Sequence, residues 1–237
     1  MRKLILSIFC IVLIASNSKA QFRIGPELGL NMSNISETGN NTSSGASSVT
    51  GLSSSYSNSY GLRVGMIVEY AFNDNLSLQS GLAYSMMGAT LAAQSASYSG
   101  LNLSIGQSSI NINYIHIPIN IIYKVDAGRG KFFIGGGPYI AYGISGTIKT
   151  GAIKLDTLGS LPASSTNISF GSDSSSIKAF DYGINILTGY ELANGLLFKI
   201  GYSYGFANYS NQSGATDKNT CIFISAGWLF SNGNKKR

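Results

Sequence analysis

The chain has 237 residues, a formal net charge of +6, and only 11% charged residues, against about 25% in ordinary globular domains. Arg2, Lys3 and Lys19 lie near the N-terminus and Lys235, Lys236 and Arg237 end the chain, so the body between them is close to neutral and gives no argument for a nucleic-acid partner. Beyond the first 20 residues, no stretch has the roughly 18 consecutive apolar residues that a membrane helix needs, and Cys221 is left without an intrachain disulfide partner once Cys10 is set aside with the N-terminal segment.

Residues 1–20 read as a secretory signal peptide. Arg2 and Lys3 precede an apolar run over 4–15 that is too short to span a bilayer, and Ser18-Lys19-Ala20 is a small-x-small cleavage site. The mature chain then begins at Gln21. No cysteine follows the site to carry a lipid anchor.

Eight segments follow in which side chains alternate with period 2, the signature of strands whose two faces meet different surroundings. In 22–32, Phe22, Ile24, Leu28, Leu30 and Met32 oppose Arg23, Gly25, Glu27, Gly29 and Asn31. Residues 60–71 set Tyr60, Leu62, Val64, Met66, Val68 and Tyr70 against Gly61, Arg63, Gly65, Ile67 and Glu69. Residues 76–87 set Leu76, Leu78, Leu82, Tyr84 and Met86 against Ser77, Gln79, Gly81, Ala83 and Ser85. In 113–124, Ile115, Ile117, Ile119, Ile121 and Tyr123 oppose His116, Pro118, Asn120 and Lys124. The opposite phase of Ile110 and Ile112 predicts a bulge near Asn113 or Tyr114, and local bulges are also expected at Pro118 and Pro138. Residues 131–142 carry Phe132, Ile134, Ile140 and Tyr142 on the apolar face, and 178–190 set Phe180, Tyr182, Ile184, Ile186 and Tyr190 against Asp181, Gly183 and Asn185. The sharpest alternation is 196–206, where Leu196, Phe198, Ile200, Tyr202, Tyr204 and Phe206 oppose Leu197, Lys199, Gly201, Ser203 and Gly205. Residues 220–230 close the series with Ile222, Ile224, Trp228 and Phe230.

The polar faces are mostly Gly, Ser, Ala and Asn. A soluble barrel or sandwich would show water a more heavily charged surface, so the apolar faces point to lipid and the small polar faces to a narrow lumen. The connections at 72–75, 125–130 and 191–195 are short, and those at 33–59, 88–109, 143–177 and 207–219 are long. Short periplasmic turns alternating with long outer loops are the pattern of outer-membrane barrels. The expected fold is an all-β, eight-stranded antiparallel up-and-down transmembrane β-barrel of the outer-membrane type. It spans 21–230, preceded by the signal peptide and followed by a polar basic tail over 231–237. The long loops, with ten serines in 33–58, are expected to be mobile, exposed and dispensable for folding.

Several of these stretches resemble the outer-membrane β-barrel family of Bacteroidetes often labelled PorT-like: Tyr60-Gly-Leu-Arg-Val-Gly, Asn75-Leu-Ser-Leu-Gln-Ser-Gly-Leu-Ala-Tyr84, Tyr114-Ile-His-Ile-Pro-Ile119, Gly137-Pro-Tyr139 and Gly201-Tyr-Ser-Tyr-Gly205, with Gly227-Trp-Leu-Phe230 resembling its closing strand. The resemblance covers nearly all strands and none of the long loops. It implies an eight-stranded barrel in the outer membrane but no single function. Family members usually carry an acidic residue where this chain has His116, and often one at Gly135.

The inward faces carry Arg23, Glu27, Arg63, Glu69, His116, Asp181 and Lys199, which are expected to form a structural polar network plugging the lumen. An eight-stranded barrel is only about wide enough for side chains to fill it, and buried charges must be paired. Arg23, Glu27, Glu69 and Lys199 fall in a lower, periplasmic layer; Arg63, His116 and Asp181 fall in an upper one. His116, the single histidine, is in reach of no acid at fixed spacing and points away from lipid, so a Ser–His lipid-modifying enzyme is not expected. No catalytic, cofactor-binding or metal-ligating set is found. Asp156-Thr157-Leu158 resembles the O-glycosylation site of exported Bacteroidetes proteins, which makes Thr157 a candidate for modification. The sequence points to a non-enzymatic outer-membrane barrel in contact with outer-membrane lipid, with four surface loops for protein partners. Its alternatives are a secretion-system accessory docking protein partners, a lipid-modifying enzyme and a small-solute pore.

Overall fold

The computed structural model describes residues 22–38, 56–98, 101–155, 159–173, 176–208, 211 and 216–231. The expected signal peptide over 1–20, Thr157 and residues 232–237 of the expected tail lie outside them. The described strands are β1 (Phe22–Thr38), β2 (Tyr56–Ala71), β3 (Leu76–Leu91), β4 (Gln94–Tyr98), β5 (Leu101–Ile105), β6 (Ser108–Ala127), β7 (Gly130–Thr150), β8 (Ile153–Leu155), β9 (Gly159–Leu161), β10 (Ser164–Asn167), β11 (Phe180–Leu192), β12 (Leu196–Gly205), β13 (Thr216–Trp228) and β14 (Phe230–Ser231).

Eight of them close a ring. β1, β2, β3, β6, β7, β11, β12 and β13 pair with their neighbours in that order, all antiparallel, and β13 pairs back onto β1. Closure follows from the two faces. A wall facing hydrocarbon has no water to satisfy an open edge, so every backbone group must pair within the sheet. Side chains follow the alternation read from the sequence: Leu30 is 66% exposed and Ile186 62%, whereas Asn31 and Ser85 are fully buried. Hydroxyls on the apolar face are satisfied by the wall itself. Ser80 Oγ donates to the Pro118 carbonyl at 2.8 Å, and Thr188 Oγ1 donates to the Phe133 carbonyl at 2.8 Å.

The exposed apolar belt is layered. Phe22, Phe72, Tyr123, Phe132, Phe198, Trp228 and Phe230 ring the end with the short turns, and Tyr60, Tyr142, Phe180, Tyr182 and Phe206 ring the other end. Between them the surface is aliphatic, with Leu28, Met66, Ile121, Ile134, Ile184, Ile200 and Ile224 exposed. Aromatic girdles flanking an aliphatic band match the interfaces and core of a bilayer.

The turns are tighter than the sequence suggests. The β6–β7 ladder runs to Ala127↔Gly130, leaving only Gly128 and Arg129 between strands, and β11 runs to Leu192. Gly128 has φ 63° and Gly195 φ 88°, a left-handed conformation that glycine adopts without the steric cost of a Cβ. In the first turn Asn73 Oδ1 accepts from the amides of Asn75 and Leu76 at 2.9 and 2.8 Å.

At the opposite end the strands outrun their alternating segments. β1 extends to Thr38 rather than residue 32, and β7 to Thr150 rather than 142. Beyond β3, β6 and β7, a second antiparallel sheet of order β4-β5-β8-β9 continues outward. The second and third long connections are therefore largely ordered strand rather than mobile loop. The apolar outer face ends there while the inner face still buries Ser33, Ile35 and Ala89, so the hydropathy alternation fades, but the hydrogen-bond ladder does not need it.

The bulge expected near Asn113 is present, with its extra residue on the neighbouring strand. Asn113 pairs with Ser145 and Tyr114 with Gly143, so Ile144 is the unpaired residue. β6 keeps its phase throughout, and Ile112 points inward with Tyr114 and His116, all at most 1% exposed. Pro118 and Pro138 cause no bulge. Register is unchanged across the gap from Ser80↔Ile119 to Ala83↔His116, and from Pro118↔Tyr139 to Ile121↔Gly136. Each proline removes one donor, and the ladder resumes in step.

Candidate functional site

The barrel interior is filled in three tiers. At the end with the short turns, Arg23 on β1 bonds the carboxylates of Glu69 and Glu191, and Lys124 Nζ lies 2.8 Å from Glu69 Oε1 and 2.6 Å from Glu191 Oε2. Gln79 Nε2 donates to Glu69 Oε2 at 3.2 Å. Two cations and two carboxylates from β1, β2, β6 and β11 thus balance one another across the lumen. A cavity of about 550 Å³ opens beneath them, lined also by Asp74 of the first turn and Lys131 at the start of β7.

In the middle tier, Lys199 Nζ is 3.0 Å from Glu27 Oε1, and Arg63 Nε is 3.4 Å from the same oxygen. The Arg63 guanidinium carbon sits 5.1 Å from the centre of the Phe223 ring, within cation–π range. Arg63 Nη2 lies 3.4 Å from His116 Nδ1. A guanidinium can only donate, so Nδ1 is the accepting nitrogen of a neutral imidazole. The His116 ring stacks on Tyr139 at 4.7 Å.

Above that, Asp181 Oδ2 accepts from Asn219 Nδ2 at 2.9 Å and from the Tyr139 hydroxyl at 3.4 Å. Asn219 also reaches the Tyr114 hydroxyl at 3.1 Å. Asp181 has no cation partner among the described residues. Over the four cations Arg23, Arg63, Lys124 and Lys199 and the four carboxylates Glu27, Glu69, Asp181 and Glu191, the buried charge sums to zero.

Glu27 and Lys199 stand with Arg63 in the middle rather than in the lowest layer, because Lys124 and Glu191 hold Arg23 and Glu69 below them. Sequence reasoning left those two out of the network. Glu191 was assigned to a turn, and Lys124 was placed inward without a role. The inward phase of each strand, extended consistently, marks both: Lys124 is in step with His116, and Glu191 with Asp181.

The outer mouth is closed differently. Ile110, Ile168, Phe170 and Ile177 pack against a buried cluster that includes Met87, Ile112, Tyr114, Ala141 and Phe223. The backbone joins in: Ile168 N donates to the Gly146 carbonyl at 2.9 Å, Gly143 N to Ala179 at 2.7 Å, and Ile177 N to Ser169 at 3.0 Å. Asn211 Nδ2, from the fourth connection, donates to the carbonyls of Gly171 and Ser176 at 2.9 and 3.0 Å. Ile168, Phe170 and Ile177 of the third connection therefore join the core, whereas residues 159–167 are exposed as the sequence leads one to expect. The connection's few apolar residues are scattered among serines and carry no periodic signal.

Among the described residues no group of three His, Cys, Asp or Glu side chains is placed to hold a metal. Cys221 is buried and unpaired.

A closed ring of eight antiparallel strands, with an apolar belt outside and paired charges within, defines a transmembrane β-barrel. Residues 14–211 match the outer membrane protein beta-barrel domain model, and the chain belongs to that family. This places it in the outer membrane. Nothing among curated proteins matches the sequence. Solved structures with similar folds include OprG from Pseudomonas aeruginosa, at 11% identity over 91% of this chain and 98% of that chain with TM-score 0.44. Neisserial surface protein A, NspA, is similar at 13% identity over 87% and 97%, TM-score 0.40. Ail, the attachment invasion locus protein of Yersinia pestis, solved with the heparin analogue sucrose octasulfate, is similar at 11% identity over 89% and 99%, TM-score 0.38. The family assignment rests on the domain match and not on these distant likenesses.

Proposed function

We propose that the protein is a non-enzymatic barrel that anchors an outward-facing interaction surface, with its lumen network serving structure alone. The observation that carries this is the sheet β4-β5-β8-β9. It is patterned for contact on one side. Leu103 pairs with Leu155, Ile105 with Ile153 and Ile153 with Leu161, and these alternate with Ser104, Lys154 and Ser160 on the other face. Leu161 is 62% exposed and Leu155 37%. Apolar side chains left in water beyond the membrane belt favour contact with a protein partner.

The signal peptide over 1–20 and the basic tail over 231–237 complete this reading, supported by their composition. The PorT-like stretches quoted above support a Bacteroidetes origin, within which Thr157 is a candidate glycosylation site. The test is proximity labelling in the native outer membrane, comparing the wild type with a variant carrying Ser at Leu103, Leu155 and Leu161. Loss of a reproducible set of labelled proteins, with the barrel still migrating as heat-modifiable, is the expected result. An unchanged set would overturn the assignment of partners to this sheet.

A further inference from the structure

A second surface feature lies at the outer girdle, on the lipid side of the barrel. Tyr142 of β7 and Phe180 of β11 are registered partners, and Tyr182 stands two residues along β11. All three are about half exposed. With Phe170, Ala179 and Ala207 they line a groove of about 560 Å³, to which Lys178, Gly171 and Asn208 also contribute. Lys178 is exposed and is the only charged group among the described lining residues.

The groove is built rather than incidental. Gly143 N bonds Ala179 O at 2.7 Å and Phe206 N bonds Tyr182 O at 2.8 Å along its flanks. Behind it, Phe170 packs on the buried cluster that closes the barrel mouth.

Its direction decides what fits. The aromatic wall is continuous with the belt that already meets lipid, and the lone cation stands two residues beyond Phe180, where strand gives way to the outer connection. An occupant must therefore be apolar where it meets Tyr142, Phe180 and Tyr182, and anionic where it meets Lys178. We propose that this groove seats one phosphorylated lipid of the outer leaflet, its acyl chain along the aromatic wall and its phosphate at Lys178. A soluble phosphate would meet the cation but leave the groove empty, and a neutral lipid would leave the cation unused. The seat also ties lipid to the plug, because Phe170 touches both.

The experiment places a photoreactive residue at Phe180 in the full-length protein, reconstituted in phosphatidylcholine vesicles doped with lipid A or with its dephosphorylated form. Lipid A should crosslink at least about fivefold more strongly. Lys178→Glu and Lys178→Gln should each abolish that preference, while Lys149→Glu, a change at another exposed outer lysine, should leave it intact. Heat-modifiable migration checks that each variant is folded. Equal crosslinking of the two lipids, or a preference that survives both Lys178 variants, would overturn the proposal. Full competition by millimolar inorganic phosphate would also overturn it, by showing an anion site with no lipid seat.

Discussion

The two ends of the barrel interior solve one packing problem with opposite chemistry. Near the short turns the lumen is held by Arg23, Glu69, Lys124 and Glu191, four charges that satisfy one another from four strands. Near the outer mouth it is held by Ile112, Tyr114, Met87 and the inserted Ile168, Phe170 and Ile177. The first arrangement needs only the wall strands. The second borrows side chains from a connection that begins and ends outside the membrane. Order inside this barrel is therefore intrinsic at one end and dependent on the outer chain at the other.

The most disruptive way to break that contrast is Lys124→Ala. It leaves Glu69 and Glu191 facing each other with Arg23 as their remaining cation, and unpairing buried charges costs about 3–5 kcal/mol. Urea unfolding in lipid, followed by Trp228 fluorescence, should show a loss of that size; an unchanged midpoint would mean the tier is not an interdependent unit. Ile200→Arg attacks the outside of the same wall. Ile200 is exposed in the aliphatic band, where a charge costs about 2–4 kcal/mol, and folding yield into vesicles should fall accordingly. Phe170→Ala tests the dependent end. Its ring is only partly buried, so about 1–2 kcal/mol should be lost, below the range for a fully buried aromatic, and brief conductance events in planar bilayers should become more frequent. A wild-type trace from this variant would remove Phe170 from the closure. Deleting residues 43–55 should matter least. Shortening a connection changes closure entropy by roughly 0.6 kcal/mol per factor of two, so thermal unfolding should barely move.

Much of the wall was legible in the sequence because lipid and lumen impose opposite demands on neighbouring residues. Leu196–Gly205 shows this plainly, with Phe198 and Ile200 outside and Lys199 and Ser203 inside. The inward charges could be identified for the same reason. Their partners could not, since pairing depends on how far each strand is staggered around the ring. Asp181 was expected within a set of ion pairs, yet it is bonded by Asn219 and Tyr139. The outer tier was invisible for a different reason. Ile168, Phe170 and Ile177 sit among Ser, Asn and Asp, and their burial comes from where the chain folds back, not from a local pattern. The strands β4, β5, β8, β9 and β10, three to five residues long, are too short to show a periodic signal, and residues such as Ser164–Asn167 offer only their backbone ladder.

The prolines of the wall set a limit on how such a protein can diverge. At Pro26 the β1 pairing skips from Glu27↔Gly227 to Ile24↔Phe230 without losing step, as it does at Pro118 and Pro138. At its prolines the ring thus accepts a missing bond without losing count, and its two register shifts, at Ile144 and between Asn58 and Arg63, fall at the outer end of the strands. An added or lost residue within the membrane belt would turn the remainder of its strand inside out, lipid face for lumen face. Changes of length in descendants of this sequence should therefore accumulate in the outward connections, while the strands between the aromatic girdles change by substitution alone.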